Sequence, residues 1–234
     1  MLLYGGRLRT FVHVTKSGWL VLCALLLAGN SLAAQAVFTY RERTAGADIM
    51  VHMEEDIVPH GLIIRSSMSD GDYHEVEYDA TEATVKYRVV SPSRKTAYSA
   101  LRKGNVIDVS GVLAGKPFSR TLQIDSHPWY ETMEVSLSHY ALGGVQQPLL
   151  FWVVQPWDAN AYLMQAKVEP EQMISVDEAR LHAMPVLVSA AGFLSLFWST
   201  LYWYRSTDGL YVRYEGVRGG PGTPLTVVEM IAEP

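Results

Sequence analysis

The sequence predicts a mainly-β protein: a curved antiparallel sheet, an open or half barrel of about eleven strands, wrapped around one central helix. Three observations carry this expectation. Short strand-like runs separated by turn residues recur about every ten residues, the spacing of a sandwich or barrel. The connections between the central runs are too short for crossover helices, so neighbouring runs pair antiparallel. Helical periodicity is sparse, and its best instance is amphipathic. A lone amphipathic helix in such a chain needs an apolar surface, and the concave side of a curved sheet offers one.

The first 36 residues read as an address. Arg7, Arg9 and Lys16 form a positive leader, an apolar run covers residues 19–28, and small residues end in Ala34-Gln35-Ala36. That order is a secretory signal peptide with an Ala-x-Ala cleavage site. It leaves residues 37–234 as one β-rich domain, long enough to bury a substantial core. The run falls short of the about 20 residues a membrane span needs. The alternative, a retained anchor extended through residues 32–37, is interrupted by Gly29, Asn30 and Gln35. Leu22 stands before Cys23, where a lipid-anchor signal carries a small residue. Cys23 is the single cysteine, so no disulfide holds residues 37–234. All 24 acidic residues follow the leader, which takes three of the 19 basic ones. The net-acidic remainder argues against nucleic acid and anionic lipid as partners. No later stretch is apolar enough for a span, and the expected location is the periplasm or cell envelope.

The strands follow in order. In "TVKYRV" (84–89), Val85, Tyr87 and Val89 face one way and Thr84, Lys86 and Arg88 the other. "SPSR" turns into "KTAYSALR", "KGN" into "VIDVSGVL", and "AGKP" into "FSRTLQI", which together make an antiparallel meander. The helix candidate is "DSHPWYETMEVSLSHYALGG" (125–144). Asp125 or Ser126 can cap it, Pro128 suits its first turn, and Glu131 and Glu134 lie where the dipole favours acids. Trp129, Met133, Leu137 and Tyr140 share one helical face, and Gly143-Gly144 ends it.

Strands resume with "LLFWVVQP", "NAYLMQAKV", "QMISV" and "LHAMPVLVS". Pro185 in the last marks an edge or a bulge, because it cannot donate to a ladder. "AAGFLSLFW" (190–198) lacks alternation and reads as a buried loop or short helical turn. "TLYWYRS" and "LYVRYEGV" pair around Asp208-Gly209, a hairpin signal, and "TPLTVVEMI" closes the chain. Leu210, Val212 and Tyr214 share a face; Tyr211, Arg213 and Glu215 share the other. A two-residue turn places Trp203 with the apolar set, and a three-residue turn with Gly209 left-handed places Tyr202 and Tyr204 there. Either way one face joins the core, and the other carries aromatics and arginine that can stack.

"IDSHPWY" (124–130) followed by "FWSTLYWYRSTDGLYVRYEGVRGGPGTP" (197–224) resembles a set of uncharacterised secreted bacterial proteins. These are similar in shape to the outer-membrane lipoprotein carriers and to lipocalin-like barrels. The resemblance implies an open, strongly curved antiparallel sheet around a helix. It implies no activity, since such sheets serve many functions.

Catalytic and metal motifs are weighed and set aside. His52 and Glu54 lie two apart in "VHMEED", with His60 and His74 nearby, but no spacing is diagnostic of zinc. Asp125, Ser126 and His127 are chain neighbours, whereas a triad converges from separate elements. "RGGPGTP" (218–224) has no following lysine or helix and reads as a hairpin loop. The carboxylates at 54–56 and 75–79 sit among charged neighbours on early strands. No catalytic residue, metal or cofactor is assigned.

The expected function is therefore non-enzymatic. An exported envelope protein binds an apolar ligand, a lipid-modified chain or a partner protein in the concavity of its sheet. The candidate ligand-binding residues are Trp129, Met133, Tyr202, Trp203, Tyr204 and Arg213. The runner-up is an envelope hydrolase, sugar-active on account of its aromatics. A concavity filled by the helix would leave no pocket for either.

Overall fold

The computed structural model describes residues 36–145, 147–192, 199–217 and 223–234. The leader, most of "AAGFLSLFW" and the glycines of "RGGPGTP" lie outside the described residues. What is described is one antiparallel sheet of fifteen strands. Its first four are β1 (Ala36–Thr44), β2 (Ala47–Val58), β3 (Gly61–Met68) and β4 (Tyr73–Tyr78). The meander continues through β5 (Thr84–Ser91), β6 (Thr96–Lys103), β7 (Val106–Leu113) and β8 (Lys116–Gln123). Two short helices follow, α1 (Met133–Ser136) and α2 (Ser138–Leu142). Then come β9 (Leu149–Val154), β10 (Ala161–Val168), β11 (Gln172–Val176) and β12 (Ala179–Ala190). β13 (Ser199–Arg205), β14 (Tyr211–Val217) and β15 (Leu225–Ala232) complete the sheet.

The eleven strands whose runs the sequence delimits are β5 to β15; it marks early strands only around residues 54–56 and 75–79, and the count of about eleven falls short by β1 to β4. Those four carry dense outward charge that obscures their inward alternation of Phe38, Tyr40, Val51, Met53, Ile64, Val76 and Tyr78. Strand order runs β8 to β1 in sequence-neighbour steps, then β15, β14, β13, β12, β10 and β9. β1 therefore pairs with β15, bringing the two ends of the sheet's chain together, and the sheet stays open between β8 and β9. Across that opening Arg120 Nη1 donates to Asn160 Oδ1 at 2.7 Å, and Tyr98 Oη donates to the Gln155 carbonyl at 3.4 Å. Pro185 lies neither at an edge nor in a register shift. Residues 179–183 of β12 pair with β11 and residues 186–190 with β10, so Pro185 sits at the handover.

The helix departs from expectation in extent and place. Residues 125–132 are not helical. Asp125 Oδ1 accepts the His127 amide at 2.9 Å, an Asx turn that uses the same residues a helix cap would. Pro128 to Tyr130 instead run alongside β9. The Trp152 amide donates to the Pro128 carbonyl, and the Tyr130 amide to the Trp152 carbonyl, both at 2.8 Å. On its other side the Trp129 carbonyl accepts the Thr84 amide, also at 2.8 Å. The helical turns lie across one end of the sheet. Ser136 Oγ donates to the Glu82 carbonyl in the β4–β5 turn, and Ser138 Oγ to the Gly209 carbonyl in the β13–β14 turn. Trp129, Leu137 and Ala141 are fully buried there.

Register in the β13–β14 hairpin is set by a bulge. Tyr202 pairs with Tyr214 and Trp203 with Arg213, but Tyr204 pairs with Tyr211, so Val212 is the extra residue. Tyr211 thus turns inward with Tyr202, Tyr204 and Tyr214, against the simple alternation expected of this strand. Trp203 and Arg213 share the outer face, where the guanidinium lies 5.5 Å from the indole centroid.

Candidate functional site

A floor, two walls and a mouth follow from this topology. The turns β1–β2, β3–β4, β5–β6 and β9–β10 gather at the end of the sheet opposite the helices. Between them opens a cavity of about 510 Å³. One wall is built from Ile49, Met68, His74 and Tyr87, the facing wall from Val153, Met164, Val188, Tyr202 and Tyr214. Glu131, Met133 and Glu134 form the floor, and Asp70, Asp72, Arg94 and Trp157 stand towards the mouth. The concavity is therefore floored by the helical segment rather than filled by it.

Each inward aromatic is placed by strand parity. Phe38, Met53, Ser66, His74, Val89 and Tyr98 are cross-strand partners, so all share the inner face. The Tyr87 hydroxyl is hydrogen-bonded to His74 Nδ1 at 2.8 Å. Tyr202 meets Tyr214 edge-on at 5.0 Å and Tyr211 at 6.2 Å. Tyr204 lies beneath them, fully buried, its hydroxyl donating to the Met133 carbonyl at 2.7 Å. Burial pushes the Tyr204 and Tyr87 hydroxyls well above the ordinary tyrosine range, so they stay protonated.

Glu131 is the unusual group. Its Oε1 accepts Trp129 Nε1–H and the Val154 amide, the latter at 2.6 Å, while its own amide donates to Thr84 Oγ1 at 3.0 Å. Burial pushes its carboxyl up to about 8, against the pull of those two donors. Sequence reasoning placed Glu131 only as a dipole-favoured helix acid. A single carboxyl set between Trp129-Tyr130 and Met133 was the available signal.

The six candidate residues are divided by the fold. Met133 and Tyr202 line the cavity. Trp129 and Tyr204 support the floor from behind. Trp203 and Arg213 lie on the opposite face of the sheet. The set-aside residues are likewise separated. His52 shares the outer face with Thr39 and Ser67, whereas His74 faces inward. Asp56 and Glu75 both bond the Arg65 guanidinium outside, and Glu77 bonds Lys86 at 2.5 Å. Asp125 is held down to about 2 by Trp152 Nε1 and the His127 amide, and Ser126 is exposed. Among the described residues no three His, Cys, Asp or Glu side chains are grouped to hold a metal ion.

No protein-family model matches the chain, and no curated protein matches it in sequence. Solved structures match in shape. A β-barrel-like protein of the domain of unknown function DUF1849 from Brucella abortus superposes with a TM-score of 0.54 at 12% identity. The match covers 85% of this chain and 95% of that one. The hypothetical lipoprotein YmcC from Escherichia coli gives 0.39 at 9% identity over 85% and 87% of the two chains. A LolA-superfamily protein from Nitrosomonas europaea gives 0.26 at 8% over 86% and 84%. The chain thus shares the barrel-like fold of an uncharacterised bacterial protein, as its C-terminal hairpin implied.

Proposed function

We propose that this is an exported, non-enzymatic envelope protein that holds an apolar ligand, a lipid or a lipid-modified chain, in the cavity of its sheet. The observation that carries the reading is the cavity itself. Its volume falls within the roughly 300–1,000 Å³ usual for small-molecule pockets, and its walls are largely methionine, valine and tyrosine. Among the described residues no helix is long and apolar enough to cross a membrane. The signal-like leader supports export with cleavage after Ala36, so N-terminal sequencing of the mature protein should begin at Val37.

Native mass spectrometry of protein purified gently from its own host should show an adduct of lipid mass. In vitro, an apolar fluorescent dye should bind the wild type. Val188→Trp, which fills the cavity from one wall, should weaken that binding at least about tenfold, equivalent to about 1.4 kcal/mol. Unchanged dye binding in a folded Val188→Trp variant would move the ligand elsewhere and end this reading. The sugar-active hydrolase rests on Glu131 and Glu134 both lining the floor. Turnover of nitrophenyl glycosides that Glu131→Gln abolishes would replace the binder with the enzyme.

A further inference from the structure

Glu131 gives one carboxyl oxygen to the protein and the other to the cavity. Oε1 accepts both Trp129 Nε1–H and the Val154 amide, and the backbone amide is tied to Thr84 Oγ1, which fixes the side chain. Oε2 has no hydrogen-bond partner among the described residues, yet it is not sealed inside the protein, and Glu131 lines the floor. Oε2 is therefore the oxygen that a ligand meets. Both partners of the carboxyl are neutral N–H groups, and no Lys, Arg or His bonds it among the described residues. Two donors on Oε1 leave Oε2 as the oxygen that carries a proton, because an O–H at Oε1 would face those N–H groups. Burial keeps that proton in place, pushing the carboxyl up to about 8. A neutral carboxyl in an apolar site donates a hydrogen bond that a carboxylate cannot. The groups around it do not supply a rival charge on the floor's β side. Tyr78 of β4, Tyr87 of β5 and Tyr98 of β6 are all pushed up by burial and stay neutral. His74 of β4 is hydrogen-bonded through Nδ1 to the Tyr87 hydroxyl. Glu134 shares the floor from α1, Tyr202 and Tyr214 face it from the other wall, and Glu42, Asp70, Asp72 and Arg94 line the cavity towards its mouth.

Resting on the reading of the cavity as an apolar-ligand site, we infer that its floor recognises an uncharged carbonyl: the cavity takes alkyl chains that end in an ester or amide of small substituent, and Glu131 Oε2 donates the hydrogen bond that holds the carbonyl oxygen. Such an oxygen only accepts, so it matches a lone donor. An ammonium only donates, and it meets the Oε2 proton head-on. A plain hydrocarbon strips water from that O–H and replaces it with nothing, which leaves a polar group unpaired. The chain lies along Met164 and Val188, and a small substituent lets the carbonyl reach the floor. Ionisation of Glu131 removes the donor and sets an anionic oxygen against the carbonyl oxygen. The hold on the carbonyl is therefore complete well below pH 8 and is lost as pH rises past it.

The test is displacement of diphenylhexatriene, a hydrocarbon dye without an acceptor, by methyl laurate at pH 6 and pH 9. At pH 9 about a tenth of the carboxyl keeps its proton, so methyl laurate should displace the dye about tenfold more weakly than at pH 6. The dye's own affinity should be the same at both, which also shows that the cavity is intact. Dodecylamine at pH 6 should displace it less well than methyl laurate. In Glu131→Gln the side-chain carbonyl keeps the two N–H donors and the amide N–H stands where the Oε2 proton was. That variant should bind methyl laurate as tightly as wild type at pH 6 and keep that affinity at pH 9. A wild-type profile that is flat, or that falls only as far as the dye's, overturns the inference. An equal fall in Glu131→Gln overturns it too, and assigns the response to His74 or to the carboxylates towards the mouth. So does dodecylamine acting at a lower concentration than methyl laurate. Should Glu131→Gln fail to fold, His74→Gln decides: the tenfold fall should persist there, and its disappearance overturns the assignment to Glu131. If the dye does not bind wild type, or binds a folded Val188→Trp equally well, the cavity reading itself falls and this inference with it.

Discussion

The two faces of β13, β14, β15 and β1 both carry aromatic rings but are held by different interactions. Inward, Tyr40, Tyr202, Tyr204, Tyr211 and Tyr214 pack ring against ring at 5.0–6.2 Å between centroids. Outward, Trp203 lies under Arg213, whose guanidinium bonds Glu229 at 2.5 Å and Glu215 at 2.9 Å, while Arg43 reaches Glu229 from the next strand. Tyrosine carries a large apolar body and one polar tip, so it can be buried if the tip finds an acceptor. Tyr40 gives its hydroxyl to the Tyr211 carbonyl and Tyr204 to that of Met133. Arginine cannot shed its charge, so it remains at the surface with carboxylates. The inner face therefore stakes stability on packing, and the outer face on replaceable ion pairs.

The largest expected effect lies at the inner end of this comparison. Trp129 is fully buried, holds Glu131 through its indole N–H and accepts the Thr84 amide of β5 on its carbonyl, while its neighbours Pro128 and Tyr130 bond Trp152 of β9. Trp129→Ala should cost about 3–5 kcal/mol, the usual range for truncating a buried aromatic. Chemical denaturation measures it, and a midpoint within error of wild type would mean the floor is not part of the core.

The next effect is a pH dependence. The Glu131 carboxyl sits near 4.5 when unfolded and is pushed up to about 8 by burial in the native protein. Between those values the native state binds more protons than the unfolded state, so stability falls as pH rises, by an amount on the order of a few kcal/mol across the window. Glu131→Gln keeps the shape and removes the titration. The loss of stability from pH 5 to pH 8 should be smaller in the variant than in wild type. Parallel slopes in both proteins would place Glu131 in water and remove it from the floor.

The sequence made some of this legible and hid the rest for identifiable reasons. All eleven runs from "TVKYRV" to "TPLTVVEMI" are strands, because clean alternation or β-branched apolar content marks them without context. β2 to β4 carry charges on their outward positions, such as Asp56, Arg65 and Glu75, and these pair only once the strands are adjacent. Asp125 and Pro128 fit a helix start and an Asx turn equally well, and tertiary bonds to Thr84 and Trp152 decide between them. The Val212 bulge decides which aromatics of the hairpin reach the core, and nothing local to "YWYRSTDGLYVRYEG" specifies it. Met133 and Tyr202 line the cavity, and aromatic and amphipathic patterns make their inward placement legible. The placement of Glu131 is not legible, because burial of a carboxyl is a property of the assembled walls.

The smallest effect tests the outer face. On the sequence alone Arg213 is a solvated residue whose removal should stay within about 0.5 kcal/mol. Its side chain is in fact only 23% exposed, shields Trp203, and bonds a Glu229 side chain that is 12% exposed. Arg213→Ala should therefore cost more than an isolated surface change, about 1 kcal/mol, because partly exposed pairs are weak and Arg43 remains to neutralise Glu229. Removing both arginines leaves that carboxylate with neither of its guanidinium partners. The double variant should exceed the sum of the two single ones by about 1 kcal/mol, as expected for members of one network. Additive effects would show that the pairs act separately. A cost for Arg213→Ala as large as that of Trp129→Ala would erase the distinction between the faces. Dye binding lost in Arg213→Ala at unchanged stability would move the functional surface from the cavity to the arginine-tryptophan side of the sheet.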